Sequence, residues 1–155
     1  YDLTPAGMSD LENTAGILST LNIRTIYSAP AFRTMQTTSY LGKAYQLTPS
    51  DLVVDTRLKM QNFGDVEGLD YNAYKELFAS RQDMLENSPP NGESGYSVFC
   101  RLESFLQSVA ALKGQTVLVV THAFNYCHIS KCLTGKYQTI PSPGTYKIYD
   151  FSNTN

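Results

Sequence analysis

The stretch TVLVVTH, residues 116–122, constrains the fold more than any other part of the chain. Its apolar residues occupy consecutive positions, so they face both sides of a strand. Strands that are apolar on both faces are typical of parallel sheets covered by helices on either side. Because parallel neighbours need crossover connections, which are usually helices, the remainder of the chain is expected to alternate strands with helices.

The apolar periodicity predicts this alternation. Helices are expected over 5–21, 31–44, 71–78, 98–112 and 125–133, and strands over 24–28, 52–55, 116–122 and in the carboxyl-terminal TYKIYDF. The order of elements predicts an α/β fold, a three-layer sandwich with a mostly parallel central sheet. We expect residues 1–155 to form a single domain.

Composition and charge exclude several classes of partner. The net charge is −2, the pI is about 5.6, and the 12 Lys and Arg residues are scattered, which argues against a nucleic-acid partner. The longest apolar run, Val117–Val120, is far shorter than a membrane span, so no membrane association is predicted. Three cysteines, an odd number, favour reduced thiols and a cytoplasmic location.

Two predicted strands end close to basic side chains. TIYS, at 25–28, leads to Arg33 in the first turn of a helix, and TVLVVT leads directly to His122. Ligands of parallel α/β sheets bind beyond the carboxyl ends of the strands. If the two strands are near each other, Arg33 and His122 converge on one crevice, which would suit a phosphate or a carboxylate.

Other polar residues allow two interpretations each. Glu93 and Ser94 of NGES either lie near this crevice or only cap the following helix, and Glu67 is expected to brace its loop. His128 and Cys132, four residues apart, share a helix face as metal ligands can. Because no second ligand pair lies elsewhere, we predict neither a metal site nor a cofactor.

Five segments taken together resemble the histidine phosphatase superfamily, the phosphoglycerate mutase-like proteins. They are DLTPAG, IYSAPAFRTMQT, RLKMQNFGDVEGL, NGES and TVLVVTH, which occur in the family's order over almost the whole chain. The resemblance implies that Arg33 grips the transferred phosphoryl group and that His122 stabilises it. It also places Ala123, Glu93 and Ser94 in the phosphate-binding site.

Two departures from the family pattern bear on catalysis. The family's Arg-His-Gly motif, which supplies the nucleophilic histidine, precedes the segment matching DLTPAG, so we expect the chain to be N-terminally incomplete relative to the family. Met60 stands where many members carry a glutamate acid, although Asp65 is a nearby carboxylate that could replace it. A general acid is worth about 10² to 10⁴ in rate. This chain alone is therefore expected to be inactive.

Two functions remain open. The first is a phosphatase or mutase that acts on a phosphorylated small molecule or a phosphoprotein through a phosphohistidine, provided that the nucleophile segment is supplied. The second is a catalytically inactive pseudophosphatase that serves as a binding or regulatory module. Met60 favours the second, whereas Arg33 and His122 favour the first. Substrate identity is expected to depend on the variable segment 70–95.

The resemblance also leads to an expectation about the sheet. We expect the family's first strand to lie between the strands matching TIYS and TVLVVT, which would leave a gap in this chain. Open edges with unpaired backbone groups are costly and prone to aggregation. The gap is therefore expected to be filled by a strand-donating partner, by another subunit of a homo-oligomer or, as the least favoured option, by TYKIYDF.

Overall fold

Three parallel strands form the central sheet of the protein, whose computed structural model describes residues 2–150. They are β1 (Ile23–Ser28), β2 (Leu52–Val54) and β3 (Thr116–Val120). Their order is β2-β1-β3, with Ile26 opposite Leu52 on one side and Leu118 on the other. The predicted parallel sheet is confirmed.

Within residues 2–150, six α-helices connect and cover these strands. They are α1 (Pro5–Leu18), α2 (Phe32–Ala44), α3 (Tyr71–Glu76), α4 (Arg81–Glu86), α5 (Gly95–Ala110) and α6 (Ala123–Thr134). Helix α1 begins where predicted, because the Thr4 hydroxyl accepts a hydrogen bond from the Gly7 amide and Pro5 has no amide proton to satisfy. Helix α6 is followed by its C-cap Gly135, whose φ of 72° is left-handed.

The two faces of the sheet carry separate halves of the core. On one face, Ile26 packs with apolar residues of α1 and α2 and with Leu118 and Val120. On the other, Tyr27, Val117 and Val119 pack against a cluster built largely from α5 and α6. Alternation of side chains along each strand produces this division. The predicted three-layer sandwich is therefore confirmed.

Several predicted element bounds were wrong. Helix α1 ends at Leu18 rather than 21, and Ser19 follows as its C-cap. Helix α4 was not predicted, because its six residues are too few to show a helical period. The predicted strand TYKIYDF has no strand structure over 145–150, where Tyr149 instead packs against the core, and its last residue, 151, lies outside the described residues.

The predicted position of the gap in the sheet was wrong. Strands β1 and β3 are hydrogen-bonded directly to each other, and the Ala29 amide extends the ladder to the Val120 carbonyl at 2.9 Å. Strand β1 packs Ile26 on one face and Tyr27 on the other, and it lies in the middle of the sheet. Among residues 2–150, β3 pairs with β1 alone, so its second edge is open.

The helices also bear on membrane association. No helix within the described range 2–150 combines the length and the apolar character that crossing a bilayer requires.

Candidate functional site

Arg33 and His122 meet at the carboxyl ends of β1 and β3. Arg33 lies in the first turn of α2, and His122 is the N-cap residue of α6. The Arg33 Nη2 atom is 2.9 Å from His122 Nδ1. The structure thus brings together the two side chains that the strand ends predicted, because β1 and β3 are neighbours in the sheet.

The contact fixes the protonation of His122. A guanidinium only donates hydrogen bonds, so His122 Nδ1 accepts and the ring proton lies on Nε2. Burial, the largest cause, and the positive charges of Arg33 and Arg101 together lower the pKa of His122 to about 4. The imidazole is therefore neutral at physiological pH. Its Nε2 is buried and has no hydrogen-bond partner within residues 2–150.

The surroundings of this pair favour a negative charge. Both side chains lie at helix amino termini, where the helix dipole is positive. No ion pair involving Arg33 is found in the described part of the chain. An anion placed here would accept charge-assisted hydrogen bonds from Arg33.

Met60 contacts Arg33 of this pair. Its Sδ atom is 3.7 Å from Arg33 Nη2. A thioether has no proton to donate, so Met60 cannot act as a general acid. Asp65 is exposed and accepts a hydrogen bond from the Asn91 amide at 2.9 Å, and no contact joins it to Arg33 or His122. Glu67 braces its loop as predicted, because its carboxylate accepts from the Phe63 amide.

The remaining predicted phosphate ligands have other partners. The Glu93 carboxylate forms an ion pair with Arg101 at 2.8 Å, and both side chains are about 86% buried. Ser94 is the N-cap of α5 and accepts a hydrogen bond from the Ser97 amide, which is its predicted capping role. Ala123 is the first residue of α6 and follows His122 directly. A phosphate-binding role for Glu93, Ser94 and Ala123 stays a prediction.

Comparisons with known proteins identify the family. The family model of the histidine phosphatase superfamily (branch 1) matches residues 1–144, which is most of the chain. The chain belongs to the histidine phosphatase superfamily. The resemblance inferred from the five sequence segments is thereby confirmed.

Three similar proteins illustrate this relationship. A Hydrogenobacter thermophilus protein named "Putative phosphoserine phosphatase 2" is 30% identical over 139 residues, 86% of this chain and 67% of the relative. A 2,3-bisphosphoglycerate-dependent phosphoglycerate mutase of Azorhizobium caulinodans is 26% identical over 131 residues, 78% and 64% of the two chains. The structure of mycobacterial glucosyl-3-phosphoglycerate phosphatase superposes with a TM-score of 0.70 at 22% identity, covering 86% and 68%. The chain thus spans about two thirds of the length of these relatives.

Sequence reasoning missed two polar residues that position this histidine phosphatase site. Asn125, fully buried in α6, donates to the carbonyls of Leu58 and Lys59 at 2.7 and 3.0 Å and so holds the loop that carries Met60. Arg101 of α5 donates to the Arg57 carbonyl as well as pairing with Glu93. An arginine on the edge of the apolar stripe of α5 was the available signal.

The second histidine lies in a different environment. His128 is buried in α6, and its Nδ1 is 2.9 Å from the Phe124 carbonyl oxygen. Cys132 packs beside the core, where burial raises the pKa of its thiol to about 11. Over residues 2–150, no three His, Cys, Asp or Glu side chains gather in a way that could hold a metal ion.

Proposed function

We propose that the chain binds the phosphoryl group of a phosphomonoester between Arg33 and His122, as part of a phosphatase that works through a phosphohistidine. The observation that supports this most is the 2.9 Å contact between a guanidinium and a buried neutral imidazole. Together they present charge-assisted and neutral N–H donors at two helix amino termini. The relatives named as phosphatases support hydrolysis rather than another use of the bound anion.

The reaction needs an acceptor imidazole besides His122. His122 Nδ1 already accepts from Arg33, so no lone pair on this ring is free to attack phosphorus. In the proposed reaction, the acceptor nitrogen forms a bond to phosphorus while the ester P–O bond breaks, and the leaving oxygen takes a proton from solvent water. Water then attacks the phosphorus atom, the P–N bond breaks with its electron pair returning to the imidazole nitrogen, and inorganic phosphate leaves with the proton balance made up by solvent. Arg33 and His122 stabilise the negative charge on the non-bridging oxygens in both steps.

The open edge of β3 is the place where we propose that the acceptor arrives. Val117 to Val120 are apolar on both faces yet only half-buried, which is unusual for an edge strand. A strand from a partner chain, added parallel to β3, would end beside His122. Such β-augmentation would bring main-chain hydrogen bonds and an acceptor histidine together.

Phosphate binding tests the core of the proposal. Calorimetry with inorganic phosphate should show that Arg33→Ala weakens binding about 100-fold, since two hydrogen bonds to a charged group are lost. Arg24→Ala is the matched control, because Arg24 is an exposed arginine of β1. Equal affinity of the unaltered chain and the Arg33→Ala variant would refute the proposal.

A second candidate function is a pseudophosphatase, which the position of Met60 favours. Its Sδ atom contacts Arg33, in the place where an acid could protonate a leaving group. For this function, we expect phosphate binding without turnover of p-nitrophenyl phosphate by the 155-residue chain. Turnover that disappears on His122→Ala would exclude this alternative.

A further inference from the structure

A cavity lies beside the first half of α6, the helix that His122 caps. Its volume is about 450 Å³, and it is enclosed by α3, α4, the first half of α6 and residues 137–140. Five aromatic rings line it, those of Tyr71, Tyr74, Phe78, Phe124 and Tyr137. A cavity with such walls suits a flat apolar group.

The rings pack against one another and so form a preformed wall. Tyr71 is stacked on Tyr74 with ring centroids 5.8 Å apart, and it also contacts Phe124 at 5.5 Å. Phe78 meets Tyr74 edge to face at 5.1 Å. Aromatic rings prefer such offset and edge-to-face partners, so an additional ring in the cavity would gain both burial and ring contacts.

One polar atom of the cavity wall lacks a partner. His128 lines the cavity and is only 8% exposed. Because the Phe124 carbonyl can only accept, His128 Nδ1 carries the proton and donates to it, which leaves a lone pair on Nε2. Nε2 is buried and has no hydrogen-bond partner within residues 2–150. A ligand that supplies an N–H or O–H donor would satisfy this acceptor.

The cavity wall and the Arg33–His122 pair include residues that are close to each other in the sequence. Phe124 of the cavity wall lies two residues after His122, and Gln61 lies next to Met60, which contacts Arg33. Two residues of chain span at most about 7 Å. Phe124 therefore brings the wall of the aromatic cavity within reach of the organic group of an ester bound at Arg33 and His122.

The chemistry at Met60 points to the same kind of ligand. An alkoxide leaving group needs a proton as the P–O bond breaks, whereas a phenolate, whose conjugate acid has a pKa near 10, leaves more readily without one. A site with a thioether in the place of an acid is thus suited to aryl esters. The aromatic cavity wall and the thioether at position 60 are independent observations, and both favour an aryl ester.

We propose that the substrate is an aryl phosphomonoester whose ring occupies the aromatic cavity and carries a hydroxyl or N–H group that donates to His128 Nε2. The inference rests on the proposed function, because it assigns the organic part of the ester bound at Arg33 and His122. The ring could belong to a small molecule or to a phosphotyrosine side chain, which share this chemistry. The phosphoryl group remains on Arg33 and His122 in both cases.

Calorimetry with a series of phosphate esters tests the proposal on the unaltered 155-residue chain. Phenyl phosphate should bind about tenfold more tightly than ethyl phosphate, because burial of the ring adds apolar contact. Among the three isomeric hydroxyphenyl phosphates, at least one should bind about threefold more tightly still. A phosphotyrosine peptide that matches this affinity would identify a protein source, and one that fails to bind would identify a small molecule.

Variants separate the two parts of the recognition. Tyr71→Ala should bring the affinity for phenyl phosphate close to that for ethyl phosphate, whereas Tyr146→Ala, which removes an equally exposed ring outside the cavity, should change neither. His128→Phe should remove only the gain from the hydroxyl group. Should that variant fail to fold, the ¹⁵N resonance of His128 Nε2 in the unaltered chain should still shift when the favoured hydroxyphenyl phosphate is added.

Two results would overturn this inference while the proposed function stands. The first is equal affinity for phenyl and ethyl phosphate. The second is an unchanged His128 resonance with all three hydroxyphenyl isomers. In both cases, inorganic phosphate still binds to the unaltered chain and binds more weakly to the Arg33→Ala variant. Failure of the proposed function differs, because inorganic phosphate would then not bind or would bind equally well to the Arg33→Ala variant.

Discussion

His122 and His128 lie six residues apart, one capping α6 and the other within it, and both are buried rings with a lowered pKa. They differ in what faces Nδ1. At His122 a guanidinium donates to this atom, whereas at His128 the ring donates to the Phe124 carbonyl. The two rings are therefore opposite tautomers. His122 presents an N–H to its surroundings and His128 presents a lone pair.

The comparison shows that the partner of one nitrogen decides what the other can bind. The buried N–H of His122 suits an acceptor such as the oxygen of an anion. A lone pair in an aromatic cavity suits a neutral donor instead. Burial keeps both rings uncharged, so their different tautomers persist across the physiological pH range.

The largest expected effect is the loss of stability in acid caused by His122. Its pKa is about 4 in the folded chain and about 6.5 when unfolded, so the unfolded state binds more protons as the pH falls between these values. Stability is fully present above pH 6.5 and declines towards pH 4, by about 3 kcal/mol for this one group. Urea unfolding at several pH values should show that His122→Gln removes most of this decline.

His128→Gln is the matched comparison for that experiment. The pKa of His128 is also lowered by burial, but its hydrogen bond to Phe124 acts in the opposite direction. We therefore expect this variant to remove a smaller part of the acid-dependent decline. An equal or larger effect of His128→Gln would mean that the surroundings of the two rings do not differ as described.

The ion pair between Glu93 and Arg101 affects both histidines. Glu93→Gln should destabilise the chain by about 2 kcal/mol, because it leaves the largely buried Arg101 charge without its partner. The unbalanced cation should also lower the pKa of both rings further, since Arg101 already acts on each. Denaturant unfolding and NMR titration measure the two effects.

Glu103→Gln supplies the control for this prediction. Glu103 is an exposed carboxylate of the same helix, α5, so its replacement should change the free energy of unfolding by less than about 0.5 kcal/mol. If the free energies of unfolding of the Glu93→Gln and Glu103→Gln variants differ by about 0.5 kcal/mol or less, the Glu93 ion pair contributes little to stability.

A carboxylate at position 60 should weaken the binding of added phosphate at the Arg33–His122 pair. In the Met60→Glu variant, the new carboxylate would compete with phosphate for Arg33, because the native sulfur is 3.7 Å from the guanidinium. Phosphate affinity at neutral pH should fall about tenfold, and the pKa of His122 should rise. Met60→Gln, of similar length and without charge, is the control for calorimetry, and an identical loss in both variants would point to packing instead of charge.

The smallest expected effect separates burial from charge at His122. Arg33→Leu should raise the pKa of His122 by only about half a unit, because burial, the larger cause, remains. His128 should titrate as before, since Arg33 is not among the groups that act on it. A rise of about two units in an NMR titration would instead make Arg33 the dominant cause.

The sequence predicted those parts of the structure that depend on local patterns. Periodicity located the strands, the long helices and the positions of Arg33 and His122 after two strand ends. The direct pairing of β1 with β3 was not predictable in this way, because it depends on contacts between distant segments. Helix α4 was too short to show a period.

The aromatic cavity was also beyond sequence reasoning. Its walls come from five separate segments, and each ring alone is typical of an ordinary core residue. The tautomers of His122 and His128 depend on partners 89 and 4 residues away in the chain, respectively. Only the second of these contacts could have been expected from helix geometry, because residues i and i−4 are neighbours on a helix.

The central position of β1 has a consequence for synthesis of the chain. Ile26 pairs with Leu52, which follows 26 residues later, but also with Leu118, which follows 92 residues later. At translation rates of about 5–20 residues per second, roughly 5–18 s pass on the ribosome before the second partner is made. During that interval the inner edge of β1 is exposed to the cellular environment, and chaperones that shield apolar strand edges should increase the yield of folded protein.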